Sequence, residues 1–115
     1  MNTICHWELQ TTDPKKAKAF YEPLFGWKVA YIEEMNYIMI ETGGQPNGGI
    51  NVVKSIQASG TLIYVLVDDI DGALEKVKKL GGKVISAKSP IPNIGFYGIL
   101  QDTDGNSIGL FTPKK

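Results

Sequence analysis

The sequence predicts an α+β fold in which one β-α-β-β-β unit is used twice. Two observations carry the prediction. Residues 4–29, ICHWELQTTDPKKAKAFYEPLFGWKV, read as a strand, a capped helix and a second strand. A paler copy, GTLIYVLVDDIDGALEKVKKLGGKVI, returns at residues 60–85. Laying Asp13 on Asp69 places Ala17 on Ala73, Tyr21 on Val77, Leu24 on Leu80 and Gly26 on Gly82.

The first strand, residues 4–10, alternates. Cys5, Trp7 and Leu9 point one way and should meet a helix, while Ile4, His6, Glu8 and Gln10 point the other. That second side holds the sole histidine beside a carboxylate. Asp13 caps the helix that follows, and Pro14 suits its first position because the missing N–H has no helical partner there. Ala17, Phe20, Tyr21 and Leu24 form its apolar stripe. Pro23 predicts an end or kink near Glu22, with Gly26 as the stop.

Residues 27–33 and 36–42 read as a hairpin, 43–49 (GGQPNGG) as a flexible loop and lip, and 49–54 as a fourth strand. Residues 55–60 link the halves. In the second half, the strand at 61–67 is apolar on both faces and so should be buried on both. A helix capped by Asp69 or Asp68 follows, with the stripe Ala73, Val77 and Leu80 and with Leu74 beside it; Gly81-Gly82 ends it. Strands at 83–88, 95–101 and 107–112 complete the copy, the last two joined by the turn Asp102-Thr103-Asp104-Gly105-Asn106. A ferredoxin-like or dimeric α+β barrel also uses βαβ units but needs fewer strands.

The 115 residues suit one compact domain, with module one at about 3–54 and module two at about 60–113. Twelve basic and twelve acidic side chains cancel, so no basic surface points to nucleic acid. Lys15, Lys16 and Lys18 read as a solvated helix face, as do Lys76, Lys78 and Lys79. No window reaches the roughly 20 apolar residues of a membrane helix, and no signal-peptide layout opens the chain. The single Cys5 reads as a small hydrophobe in a reducing cytoplasm.

Four runs in order, with the repeat, resemble the vicinal oxygen chelate superfamily: glyoxalase I, bleomycin-resistance proteins and extradiol dioxygenases. They are His6 seven residues before Asp13, AFYEPLFGWKV at 19–29, VDDIDGALEKVKKLGGKV at 67–84, and DTDGNSIGLF at 102–111. The Trp and Glu of the first strand and the Phe-Gly-Trp ending are similar to bacterial glyoxalase-related proteins. The resemblance implies two tandem βαβββ modules forming a curled mixed sheet around a cleft, with Ile4, His6, Glu8 and Gln10 on its inner side.

Metal-dependent members of that family place one ligand on each of four strands, usually His or Glu, to polarise adjacent substrate oxygens. Here the positions fall on His6, near Asn51, on Leu62 and on Gly109. Leu62 and Gly109 offer no donor, and an amide is a poor ligand for zinc or iron. The expectation is therefore no bound metal or other cofactor. His6 is then either a wall or core histidine bonded to Glu8 or a carbonyl, or it joins Glu8 in orienting a polar ligand or in an acid/base pair. Asn51, Leu62, Tyr64, Ser107, Gly109 and Phe111 are candidate ligand contacts on an apolar, roomy floor, with Leu66 on the face of Tyr64. Trp27, Tyr31, Tyr37 and Met39 are candidates from the first hairpin. The glycine loop lacks the Lys-Ser/Thr of a phosphate loop.

The resulting expectation is a cytoplasmic homodimer that binds a small organic molecule, without nucleic-acid or membrane partners. Two alternatives stay open. One is a lyase or isomerase using His6 and Glu8, with any metal completed at a dimer interface. The other is an interaction protein whose own side chains fill the cleft.

Overall fold

The computed structural model describes residues 1–57 and 60–115; of the predicted linker 55–60, positions 58 and 59 lie outside the described residues. The elements are β1 (Ile4–Thr11), α1 (Pro14–Phe25), β2 (Lys28–Ile32), β3 (Tyr37–Glu41), β4 (Gly48–Val52), β5 (Leu62–Leu66), α2 (Ile70–Lys79), β6 (Lys83–Ile91), β7 (Gly95–Gln101) and β8 (Ser107–Pro113), with a 3₁₀ turn at Glu33–Met35. The β-α-β-β-β order appears twice.

The strand order is β2-β3-β4-β1-β5-β8-β7-β6. This corrects the expected sheet curled around a cleft: the sheet is mixed but neither curled nor closed. Closure would need partners for the two end strands, and among the described residues β2 pairs only with β3 while β6 pairs only with β7. Both ends carry features that discourage further pairing. β2 is five residues long and begins with Lys28. β6 carries Lys83, Lys88 and Pro90, and its ladder shifts register twice.

The chain divides into two compact units, His6–Thr61 and a second made of Met1–Cys5 with Leu62–Lys115. In the first, β1 and β4 run parallel, with Glu8 opposite Gly49 and Gln10 opposite Asn51. β3 runs antiparallel to β4, with Tyr37 opposite Asn51 and Met39 opposite Gly49. One sheet face holds the core: Val29, Ile38, Ile40 and Ile50 meet Ala17 of α1, flanked by Trp7, Leu9, Tyr21, Trp27 and Val52. The other face carries Glu8, Asn51, Tyr37 and Met39, as period-two alternation requires.

Asp13 caps α1 by accepting from the backbone N–H groups of Lys15 and Lys16. The helix does not stop at Glu22. It runs through Pro23 to Phe25 and closes when Gly26, at φ +71°, donates to the Glu22 carbonyl at 2.8 Å. Proline costs least so near the end, where few helical bonds remain to lose. The predicted stripe is also narrower than read, because Phe20 and Leu24 are 59% and 54% exposed.

In the second unit β5 pairs parallel with β8, and β8 pairs antiparallel with β7. Val67, Ile70, Leu74 and Leu110 are its core, joined by Val65, Ala73, Val84 and Leu100. Asp69 caps α2 by accepting from Gly72 N–H at 3.0 Å. Leu80 leaves the expected stripe: it is the C-terminal cap of α2 and is 76% exposed. Ile63 of β5 is exposed too, so that strand is not covered on both faces.

Candidate functional site

Three strands of the first unit bring four polar side chains together. Glu8 stands on β1, opposite Gly49. Tyr37 and Asn51 face each other across β3 and β4. The Tyr37 hydroxyl donates to Glu8 Oε2 at 3.0 Å, and Asn51 Nδ2 donates to Glu8 Oε1 at 3.0 Å. His6 Nε2 lies 2.8 Å from the Tyr37 oxygen. The direct His6–Glu8 separation is 3.9 Å, beyond a hydrogen bond, so Tyr37 stands between them. The side chains of His6 and Glu8 are 30% and 13% exposed. Both carboxylate oxygens thus receive a donor, which is what a half-buried carboxylate requires.

Burial pushes the His6 pKa below its ordinary value, and the nearby Glu8 charge opposes this only in part. The imidazole is therefore neutral around pH 7. Cys5, on the other side of β1, has its thiol pKa raised by burial, which argues against a nucleophilic role.

Two adjacent glycines make the arrangement possible. A β-carbon on Gly48 would enter the Trp7 ring, and one on Gly49 would fall on the Tyr37 hydroxyl. Successive strand residues face opposite sides, so Gly48 admits a core aromatic and Gly49 admits the tyrosine of the polar face. The GGQPNGG run is thus partly strand. Its loop is also tied: Trp7 Nε1 donates to the Pro46 carbonyl at 3.0 Å, and Asn47 Oδ1 accepts from Thr42 N–H at 2.9 Å.

Of the residues singled out from sequence, His6, Glu8 and Asn51 come together. Tyr37, one of four hairpin candidates, joins them as the bridge. Trp27 does not, since it stacks on Tyr21 at 5.6 Å in the helix-side core. Tyr31 is in register with the core residue Ile38, and its hydroxyl donates to Asn36 Oδ1 at 2.8 Å. Met39 lies on the polar face beside Gly49. The sequence signal for the bridge was partial: Gly49 lies two positions before Asn51, but only strand pairing puts it opposite Glu8.

Leu62, Tyr64, Ser107, Gly109 and Phe111 belong to the second unit. Tyr64 is in register with Gly109, and Leu66 with Phe111. The expected roominess at Gly109 is corrected here. A β-carbon there would enter the Tyr64 ring, so the glycine makes room for a buried aromatic and not for a ligand.

A metal fits this residue set poorly. Among the described residues no three His, Cys, Asp or Glu side chains are grouped to hold one. Asn51 turns its amide nitrogen to Glu8, Leu62 has no donor atom, and Gly109 is covered by Tyr64.

The sequence profile of the Glyoxalase/Bleomycin resistance protein/Dioxygenase superfamily matches residues 3–110. A glyoxylase-like domain-containing protein of Didymella fabae is 30% identical over 114 residues, covering 91% of this chain and 89% of that protein. CFP32 of Mycobacterium bovis is 30% identical over 110 residues, and the chain spans only 42% of its length. Protein BH1468 of Bacillus halodurans superposes with a TM-score of 0.76 at 17% identity, over 98% of this chain and 95% of that one.

Proposed function

Because the chain belongs to the glyoxalase/bleomycin resistance protein/dioxygenase superfamily, we propose that it binds a small organic molecule through the polar face of its first unit, without a metal. One observation supports this above others: His6, Tyr37, Glu8 and Asn51 form a continuous hydrogen-bonded chain on a sheet face. A pocket that binds small molecules needs a few fixed polar groups among apolar neighbours, and Met39 supplies an apolar neighbour here.

The charge of the cluster favours one class of ligand. With His6 neutral, the Glu8 carboxylate is its single formal charge. Neutral or cationic hydrogen-bonding molecules suit it, and anions do not. In the second unit we propose Leu62, Tyr64, Ser107 and Phe111, taken by themselves, as ligand contacts. We place the protein, within the same proposal, in the cytoplasm as a homodimer. The unpaired, half-buried Cys5 suits a reducing compartment.

The Tyr37 bridge supports a second reading, in which His6 and Glu8 exchange a proton during a lyase or isomerase reaction. No metal step is drawn for it, since the donors do not fit.

Benzylamine, benzamide and benzoate test the binding reading, because they share a ring and differ in charge. Amide shifts of Glu8, Asn51 and Met39 in ¹H–¹⁵N spectra should respond to benzylamine and benzamide more than to benzoate, and the response should fall in Glu8→Gln. Silence toward all three, or preference for benzoate, overturns it.

A further inference from the structure

We infer that Gly49 and Tyr37 are positioning residues that set which nitrogen of His6 carries the proton. A phenol has one proton to donate, and Tyr37 gives it to Glu8 Oε2 at 3.0 Å. At 2.8 Å from His6 Nε2, the Tyr37 oxygen then acts as the acceptor, so Nε2 carries the hydrogen. The opposite assignment would turn the Tyr37 proton toward His6 and leave Glu8 Oε2 without it. Asn51 donates to the other oxygen, Oε1, so each Glu8 oxygen has its own donor. In the neutral ring the lone pair therefore lies on Nδ1.

Gly49 decides whether Tyr37 can do this. Tyr37 rises from β3 opposite Asn51, while Glu8 stands on β1 opposite Gly49. The ring must therefore cross β4 over Gly49 to reach Glu8. Any side chain at residue 49 would occupy the place of the hydroxyl. Backbone space on one strand thus fixes a protonation pattern on another.

The experiment needs no ligand, so the two readings fail separately. His6 is the only histidine in the sequence, so its ring signals carry no ambiguity. Long-range ¹H–¹⁵N spectra at neutral pH should show the Nε2–H tautomer in the wild type. Tyr37→Phe should cut that preference about fivefold, the equivalent of one net hydrogen bond. Gly49→Ala should do the same by displacing the tyrosine. Gly44→Ala, where a β-carbon meets nothing within 4 Å, should leave the spectrum unchanged. An Nδ1–H tautomer in the wild type overturns the inference, and so does an unchanged preference in Tyr37→Phe. If Gly49→Ala does not fold, Tyr37→Phe still decides. Failed binding of the three benzyl probes would sink the ligand site and leave this assignment standing.

Discussion

The hydroxyl of Tyr37 occupies the place where a β-carbon on Gly49 would stand. The same relation holds between Trp7 and Gly48, and between Tyr64 and Gly109. In each pair a glycine on one strand is the seat of an aromatic ring from another strand. Their shared role is close approach of a ring to backbone, not freedom of φ.

Gly48→Ala should therefore destabilise the protein by about 1–3 kcal/mol, the usual cost of overpacking a core. Urea unfolding followed by Trp fluorescence measures it. Gly44→Ala, on open surface, should stay within about 0.5 kcal/mol of wild type.

Glu8→Gln should lower the His6 pKa further. The carboxylate raises it against the burial that depresses it, and an amide of similar size removes the charge and keeps the volume. Ring-proton shifts of the single histidine across a pH series give the result; a rise would show that the Glu8 charge does not favour the imidazolium.

Stability should fall on mild acidification. The folded pKa of His6 lies below its ordinary value of 6.5. As pH drops beneath that value, the unfolded chain takes up a proton that the native chain refuses. Stability contributed by His6 is thus complete above about pH 6.5 and is lost down to the lowered native pKa, where the loss levels off. His6→Gln should flatten this window in denaturant midpoints taken through it.

Asp13→Ala should cost about 1 kcal/mol through loss of the α1 cap. The carboxylate accepts from Lys15 N–H and Lys16 N–H at the helix start. Asp69→Ala, which frees Gly72 N–H on α2, is the matched case in the other unit. Thermal midpoints read both.

Much of the fold was legible because local rules govern it. Asp13-Pro14 and Asp69 start helices wherever they occur before a periodic apolar run. Alternation along β1 separated His6 and Glu8 from Trp7 and Leu9, and the core cluster keeps that division. The repeat placed both modules in order. What alternation could not give was the sheet's outer boundary, since whether β2 and β6 find partners depends on the whole assembly of strands. The stripes also failed at the helix ends: Leu24 and Leu80 carry the right period but stay more than half exposed, since period alone does not say where a helix meets its partner.

For the site, the sequence by itself determined that His6 and Glu8 share a face, because two residues on one strand must. It also determined that Leu62 and Gly109 bring no metal donor, because side-chain chemistry is local. Only the tertiary structure decided that Tyr37 bridges the pair. That requires three strands in one register and an empty β-carbon position at Gly49, and hydrogen bonds between strands are set by pairing at long range.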